Sequence, residues 1–326
     1  MKTTNTYLTI ALTAVALSTP LGALAQSDFP NRPVRIVVPF SAGGIVDTVA
    51  RTVGDKLSTR LGQPVIVENK PGAGGAIATD MVAKSAPDGY TLLAVSPSHA
   101  VLPSLQKSVT WNPVRDFKAI AGVGIVPNIV VVNPGVQAKT MAEFVALAKS
   151  NAQPLTYGTA GMGTSNHLSG ELLAQEAGIK LTQVPYKGQP DALTDVLAGR
   201  VDMMPLTAAL ALPHIKTGKL RALAVTTGKR ATAVPDLPTV AEAAKLPDYE
   251  VGTWFGFVAP AATPDPVLRK LSADVLEILA MRDVQDKFKG LGMELAPQTA
   301  PEFDAFVAKE ATKWARVIKQ AGIEPN

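Results

Sequence analysis

The chain has 326 residues, 47% hydrophobic and 18% charged. That balance excludes an intrinsically disordered protein and leaves length enough for two domains, while the lack of any cysteine excludes disulfides, a thiol nucleophile and acylation at a lipobox. Net charge is +4, or +3 without the segment that carries Lys2, and no Lys/Arg cluster stands out, so a nucleic-acid surface is disfavoured.

Lys2 precedes an apolar run from Tyr7 to Leu17, followed by Pro20, Gly22 and the small-x-small triplet Ala23-Leu-Ala25. This is the pattern of a secretory signal peptide over residues 1–25, cleaved after Ala25. The run is shorter than the roughly 20 residues that a membrane span needs, and no later segment reads as a span. The expected product is a freely soluble exported protein, periplasmic where the cell has two membranes.

Ile36, Val37 and Val38 form a short apolar strand stopped by Pro39, and Phe40-Ser-Ala-Gly-Gly44 opens a helix whose apolar positions run from Val46 to Leu61. The unpartnered amides and dipole of that helix start suit a carboxylate or phosphate. A βα turn whose glycines serve only packing is an equal reading of this stretch alone. Pro64–Glu68 reads as a second strand, Asn69–Gly75 as a loop opening a helix from Ala76 to about Ala86, and Tyr90–Val95 as a third strand. The βαβαβ order implies a parallel, doubly wound sheet. Its ligand lies beyond the carboxyl ends of the strands, beside Phe40–Gly44, Asn69–Gly75 and Ser96-Pro-Ser-His99.

Ala119–Val123 and Asn128–Val132 read as two short strands parted by Gly124–Pro127. The capping box Thr140-Met-Ala-Glu143 starts a helix to about Lys149, and a second α/β series follows. It comprises a strand at Leu155–Tyr157, the loop Gly158–Thr164, a helix to about Glu176, a strand at Leu181–Val184, Pro185-Tyr-Lys-Gly188 and a helix ending near Leu197. Val201–Met204, a helical stretch through His214 and a strand at Leu220–Val225 complete it. Beyond a proline-rich stretch from Thr227 to Asp248, Val251–Val258 reads as a returning strand, with helices at Pro264–Ala280 and Arg282 to about Leu291. The last helix opens at the capping box Thr299-Ala-Pro-Glu302 and carries an apolar face of Phe303, Phe306, Val307, Trp314, Val317 and Ile318 that must dock on the first domain. Two chain crossings, near 125 and 250, would make a hinge with a cleft between lobes.

Gly158-Thr-Ala-Gly-Met-Gly163 leads into a second strong helix start, with Thr164 or Ser165 as N-cap and His167 in the first turn as a hydrogen-bond donor to an anion. Its glycine spacing is reversed relative to G-x-G-x-x-G, and no Gly-Lys-Ser/Thr follows, which disfavours a nucleotide. Gly163-Thr-Ser-Asn-His167 lacks the second glycine of a hydrolase elbow, so Ser165 is a poor nucleophile candidate and no catalytic residue is assigned. His99, His167 and His214 form no metal motif, and neither a metal nor a cofactor is expected. Tyr186 and Gly188, past another strand end, could contact a ligand, although Tyr186 serves equally as core.

Pro39–Asp47, Asn69–Gly75, Pro87–Leu93, Val184–Gly188, Pro213–Lys216 and Gly218–Ala224 together resemble the Bug-type extracytoplasmic receptors of tripartite tricarboxylate transporters, across essentially the whole mature chain. The resemblance implies a two-lobed α/β periplasmic-binding fold, type II-like, each lobe a mostly parallel sheet flanked by helices, with two crossover strands as hinge. Residues 26–124 plus 252–326 would form one lobe and 125–251 the other. It also implies a Venus-flytrap closing on a small carboxylate, delivery to one large and one small membrane subunit, and a monomer.

In that family the carboxylate is held mostly by main-chain amides and small hydroxyls of two facing loops, often with ordered water. Carried over, these are Phe40, Ser41, Ala42, Gly43 and Gly44 in one lobe and the stretch Thr159 to His167 in the other, with Thr159, Ala160, Gly161, Thr164, Ser165 and His167 foremost. Ser96, His99 and Tyr186, at other strand ends, join the expected site. Many members have an aromatic and an acid where this chain has Pro205 and Leu206. That departure argues against an amino-acid ligand and points, through Leu206, to an aromatic or aliphatic mono- or dicarboxylate such as terephthalate. A sensory receptor for a membrane kinase shares the fold and site; a secreted hydrolase is the other alternative.

Overall fold

The structure, a computed structural model, describes residues 29–320 and 325, so the expected signal peptide and its cleavage site lie outside the described residues. The chain opens with β1 (Val34–Val38), α1 (Ile45–Leu61), β2 (Val65–Asn69), α2 (Ala76–Ala83), β3 (Thr91–Val95) and a short α3 (Pro97–Val101). There follow β4 (Phe117–Val132), α4 (Met141–Ser150), β5 (Leu155–Thr159), α5 (Ser165–Ala177), β6 (Leu181–Pro185), α6 (Gln189–Leu197), β7 (Met203–Thr207), α7 (Ala208–Lys216), β8 (Arg221–Val225) and α8 (Val240–Ala244). β9 (Gly252–Pro260), α9 (Asp265–Ala280), α10 (Arg282–Gly290), β10 (Glu294–Gln298) and α11 (Ala300–Gln320) close the chain.

In the first lobe β1 lies between β2 and β3, parallel to both, and β3 pairs antiparallel with β9. β9 pairs antiparallel with β4 from Phe117 to Pro127, and β10 covers part of the same stretch of β4. From Asn128 onward β4 changes partners and pairs antiparallel with β7 and β8, and β7 leads through parallel pairing to β5 and β6. The result is the expected two-lobed α/β architecture, with β4 running from one lobe into the other and the chain returning through Val251 into β9.

Alternation along the strands explains their apolar runs. Ile36, Val38, Leu92, Ala94, Ile129 and Val131 belong to one core, whereas Val37, Leu93, Val95, Val130 and Val132 belong to a second on the opposite face of the sheet. A strand buried on both faces has no polar side, so period-two patterning vanishes into a continuous hydrophobic run. Helix α11 docks on β4 and α3 as its apolar face requires, with Phe303, Val307, Trp314 and Ile318 buried.

The reading of two short strands at 119–132 is corrected to one strand of 16 residues. Pro127 sits opposite Gly252, at the point where β4 leaves β9 and takes up β7 beginning at Asn128. A missing N–H is tolerable at such a change of partner, and register shifts near Ala119–Ala121 and Gly122–Gly124 bend the strand without breaking it. Three elements had no expectation, and one of them, α3, replaces the loop read at Ser96–His99. β10 contains Pro297 and little alternation, as an edge strand can, and α8 is a five-residue helix held by the Thr239–Glu242 capping box. At Thr140 the expected box is half formed: Thr140 Oγ1 accepts from the Glu143 amide, but Glu143 accepts from Lys139 N–H instead of Thr140 N–H.

Candidate ligand-binding site

Two long helices begin at the seam between the lobes. α1 starts at Ile45 behind Gly44, whose extended backbone (φ −76, ψ 167) brings no side chain to the first amides. α5 starts at Ser165 behind Thr164, whose Oγ1 accepts from His167 N–H at 3.4 Å. Between them lies a cavity of about 30 Å³. The first helix contributes Phe40, Ser41, Gly44, Ile45 and Val46, and the second Ala160, Thr164, Ser165 and Asn166. Ser96 from the start of α3, Gln189 from the start of α6 and Thr253 from β9 complete the lining.

Among the described residues, no charged side chain lines this cavity. The leading amides of α1 and α5 lack intrahelical acceptors and carry the positive ends of their dipoles, so the site offers partial positive charge without a counter-ion. Ser41, Ser96, Thr164, Ser165 and Thr253 bring hydroxyls to the lining, but Thr164 Oγ1 donates to the Gly161 carbonyl at 2.7 Å and Ser41 Oγ to Asp191, so these two present lone pairs. Gln189 Oε1 accepts from Thr207 N–H at 3.1 Å and Thr207 Oγ1 at 2.8 Å, which leaves its amide nitrogen as the group available to donate. Asn166 is fixed the other way: Nδ2 donates to the Pro205 carbonyl, and Oδ1 is buried without a partner among the described residues.

Asp47, in the first turn of α1, turns away from the cavity and braces its own loop. It accepts from Gly43 N–H at 3.0 Å, Arg51 Nε at 3.1 Å and Asn69 Nδ2 at 3.0 Å. Burial by itself would raise its pKa, but the bonds from Arg51, Gly43 and Asn69 outweigh burial and hold the carboxyl below its ordinary value. Asn69 also donates to the Phe40 carbonyl at 3.0 Å, tying the second strand-end loop to the first.

The lobes touch along the rim. Ser41 Oγ donates to Asp191 Oδ2 at 2.8 Å. Gly74 (φ 66) lies so close to the Met162 carbonyl that a Cβ would overlap it, and a Cβ on Gly161 (φ 107) would come within 3.0 Å of Gly74 Cα. Only glycine has both the backbone freedom and the missing Cβ for this meeting.

The family described as "Tripartite tricarboxylate transporter family receptor" matches residues 49–323. The chain belongs to that receptor family. An Agrobacterium vitis relative, a protein of the ttuE–ttuC' intergenic region, is 39% identical over 97% of this chain and 91% of its own length. The solved periplasmic binding protein BugD shares 37% identity at TM-score 0.87, covering 91% of this chain and all of BugD. Rpa4515 of R. palustris, solved with adipate, shares 33% identity at TM-score 0.87 over 92% of this chain and all of that one.

Within this receptor, the cavity brings together Phe40, Ser41, Gly44, Ser96, Ala160, Thr164 and Ser165 of the expected residues. Others lie elsewhere. Ala42 and Gly43 are exposed, and the Gly43 amide is spent on Asp47. Thr159 is buried with Oγ1 accepting from Gly161 N–H and Gln183 Nε2, while Gly161 faces the rim. Tyr186 also lies at the rim, in an outer groove, where its hydroxyl donates to Asp195 at 2.5 Å; burial, with help from Asp195, pushes its pKa up to about 12.

Three expectations fail on packing. His99 is buried in α3, stacked on Trp111 at 5.4 Å and edge-on to Phe117, and burial pushes its pKa down to about 3. The Pro113 carbonyl opposes that fall in part, although neither ring nitrogen meets hydrogen-bond geometry. His167 points to the far side of α5: Nδ1 accepts from Gly163 N–H at 3.2 Å, Nε2 lies 3.8 Å from Glu171, and burial lowers its pKa. It therefore holds the loop and donates nothing to the cavity. Leu206 is fully buried in the core, paired with Ile129.

The lining also contains Asn166, inside the expected Thr159–His167 stretch, and Ile45, Val46, Gln189 and Thr253, which the sequence did not single out. Gln189 follows Gly188 at a helix start, so position relative to the helix N-termini could have found it. Thr253 leaves no local trace, because it reaches the site from the returning strand.

Proposed function

We propose that this chain is an extracytoplasmic solute receptor that closes on a small carboxylate between its lobes and delivers it to the membrane subunits of a tripartite tricarboxylate transporter. One observation carries the reading: two long helix N-termini, with hydroxyl and amide side chains, converge on a cavity that no charged group among the described residues lines. Such a site neutralises an anion with oriented dipoles and offers nothing to a cation. Adipate in the related Rpa4515 structure supports the ligand class. The cavity of about 30 Å³ has the size of one water, whereas ligand pockets run to about 300 Å³ or more, so the ligand enters by parting the lobes. We assign 26–124 plus 252–326 and 125–251 to the two moving bodies.

The site supports binding without turnover. Ser165 Oγ is paired with Thr253 and not with a histidine, and His167 faces away. The terephthalate expectation rested on Leu206, which does not line the cavity, so an aromatic dicarboxylate stands as one member of the carboxylate class with no special support. Periplasmic localisation follows from the signal-peptide pattern together with BugD's description; among the described residues no helix is long and apolar enough to cross a membrane.

The test is a thermal-shift and calorimetric screen of the mature chain with adipate, malate, terephthalate, amino acids, sugars and cations. A ligand at 100 times its Kd stabilises the chain by about 2.7 kcal/mol. Stabilisation by carboxylates is the expected outcome; stabilisation by sugars or cations alone would overturn the reading.

A further inference from the structure

Asn128 of β4, Thr253 of β9 and Ser165 of α5 form a buried chain of three side chains that ends at the cavity. Thr253 Oγ1 lies 3.0 Å from Asn128 Oδ1 and 2.5 Å from Ser165 Oγ, with both neighbours in place to accept its proton. A hydroxyl has only one proton. If it goes to Asn128, Ser165 must donate its own proton back to Thr253, and the group at the cavity presents lone pairs to an incoming anion. In the same arrangement Asn128 Nδ2, with two donors, is buried with no partner among the described residues.

Turning the Asn128 amide over resolves both difficulties. Nδ2 then donates to Thr253 Oγ1, Thr253 donates to Ser165 Oγ, and the Ser165 proton is released toward the cavity. The buried group left without a partner becomes a carbonyl oxygen, which is tolerated better than an unpaired N–H. Each donor in such a chain also polarises the next.

We propose that Asn128 and Thr253 are positioning residues: a one-way hydrogen-bond relay, anchored in the strand that joins the lobes and in the returning strand, that makes Ser165 a donor to the bound carboxylate. The inference rests on the carboxylate reading of the cavity. It gives the hinge region a direct part in recognition, because Asn128 sits where β4 takes up its second-lobe partners and Thr253 lies at the start of β9.

Two measurements test it. A neutron structure of the perdeuterated mature chain should place deuterium on the Asn128 atom facing Thr253 and on Thr253 toward Ser165; deuterium on Thr253 toward Asn128 would overturn the relay whatever the ligand is. Titration with adipate and malate should show Thr253→Val and Ser165→Ala each weakening binding about tenfold or more, as loss of a hydrogen bond to a charged group does. The double variant should be no weaker than either single one within about threefold, and Thr253→Ser should restore binding, because both act through one proton. Multiplicative losses, or no rescue by serine, would sink the relay. Failure of the wild-type chain to bind any carboxylate in the wider screen would count against the functional reading, and the deuterium positions would still decide the relay.

Discussion

The two loop-to-helix junctions that face each other across the seam do similar work with different chemistry. Before α1, Gly44 caps nothing with a side chain, and the loop is braced from outside by Asp47, Arg51 and Asn69. Before α5, Thr164 caps the first turn and its loop is buried, with Thr159, Gly161 and Gly163 bonded within it. The first junction therefore presents amides with no capping side chain, whereas the second presents a capped first turn and a buried inner wall. For an anion held between two lobes the two junctions are complementary, because dipoles attract from either side but only fixed side chains discriminate.

The largest expected disruption parts the loop before α5 from the Asn69–Gly75 loop that leads into α2. Gly74→Ala adds a Cβ that overlaps the Met162 carbonyl at a left-handed backbone position, so closure should be blocked. Carboxylate affinity by calorimetry should fall on the order of 100-fold, and small-angle scattering should show the liganded chain staying open. Unchanged affinity would show that the rim contact is dispensable.

A second effect separates stability from binding. His99 is neutral when folded, with its pKa down at about 3 against about 6.5 unfolded, so the unfolded chain binds more protons in that interval. Its contribution is fully present above about pH 6.5 and is lost as pH falls, by roughly 1.4 kcal/mol for each pH unit. Urea unfolding at pH 7 and pH 5 should show this slope, lessened in His99→Phe. Carboxylate affinity should stay flat from about pH 8 to 6, since no titratable side chain among the described residues lines the cavity.

A finer comparison deletes one amide from each junction. Proline fits the first helical position, and both Gly44 (ψ 167) and Thr164 (ψ 159) already have the extended backbone that a following proline demands. Ile45→Pro should weaken carboxylate binding about tenfold relative to Ile45→Val, and Ser165→Pro should weaken it beyond Ser165→Ala. Equal affinities within either pair would mean that those amides do not touch the ligand.

The smallest contrast lies in capping. Thr164→Ala should lower stability by about 1 kcal/mol in chemical denaturation, because it frees the His167 amide. Gly44→Ala should change stability by less than about 0.5 kcal/mol, since no cap bond is lost and the added Cβ meets the Ser41 carbonyl at an ordinary 3.5 Å.

Much of this site was legible in the chain because helix N-termini are encoded locally. Strand, small-residue loop and helix start follow one another in Ile36–Leu61 and again in Leu155–Ala177, and the folded chain sets both starts on one cavity. The histidines were misread for a physical reason. Sequence places His99 and His167 near strand ends, but a helix turns successive side chains by about 100°, and packing against Trp111 and Glu171 chose the buried side.

Local patterning by itself determined the α/β class, the two junctions and the absence of a thiol, because these depend on periodicity, capping and composition. Only the tertiary structure decided that 119–132 is one strand, that Leu206 packs into the core, and that Thr253 joins Ser165 and Asn128 from 88 and 125 residues away. Those facts depend on which strands pair and on how closely the lobes approach, and that is set by non-local burial that no single stretch of sequence records.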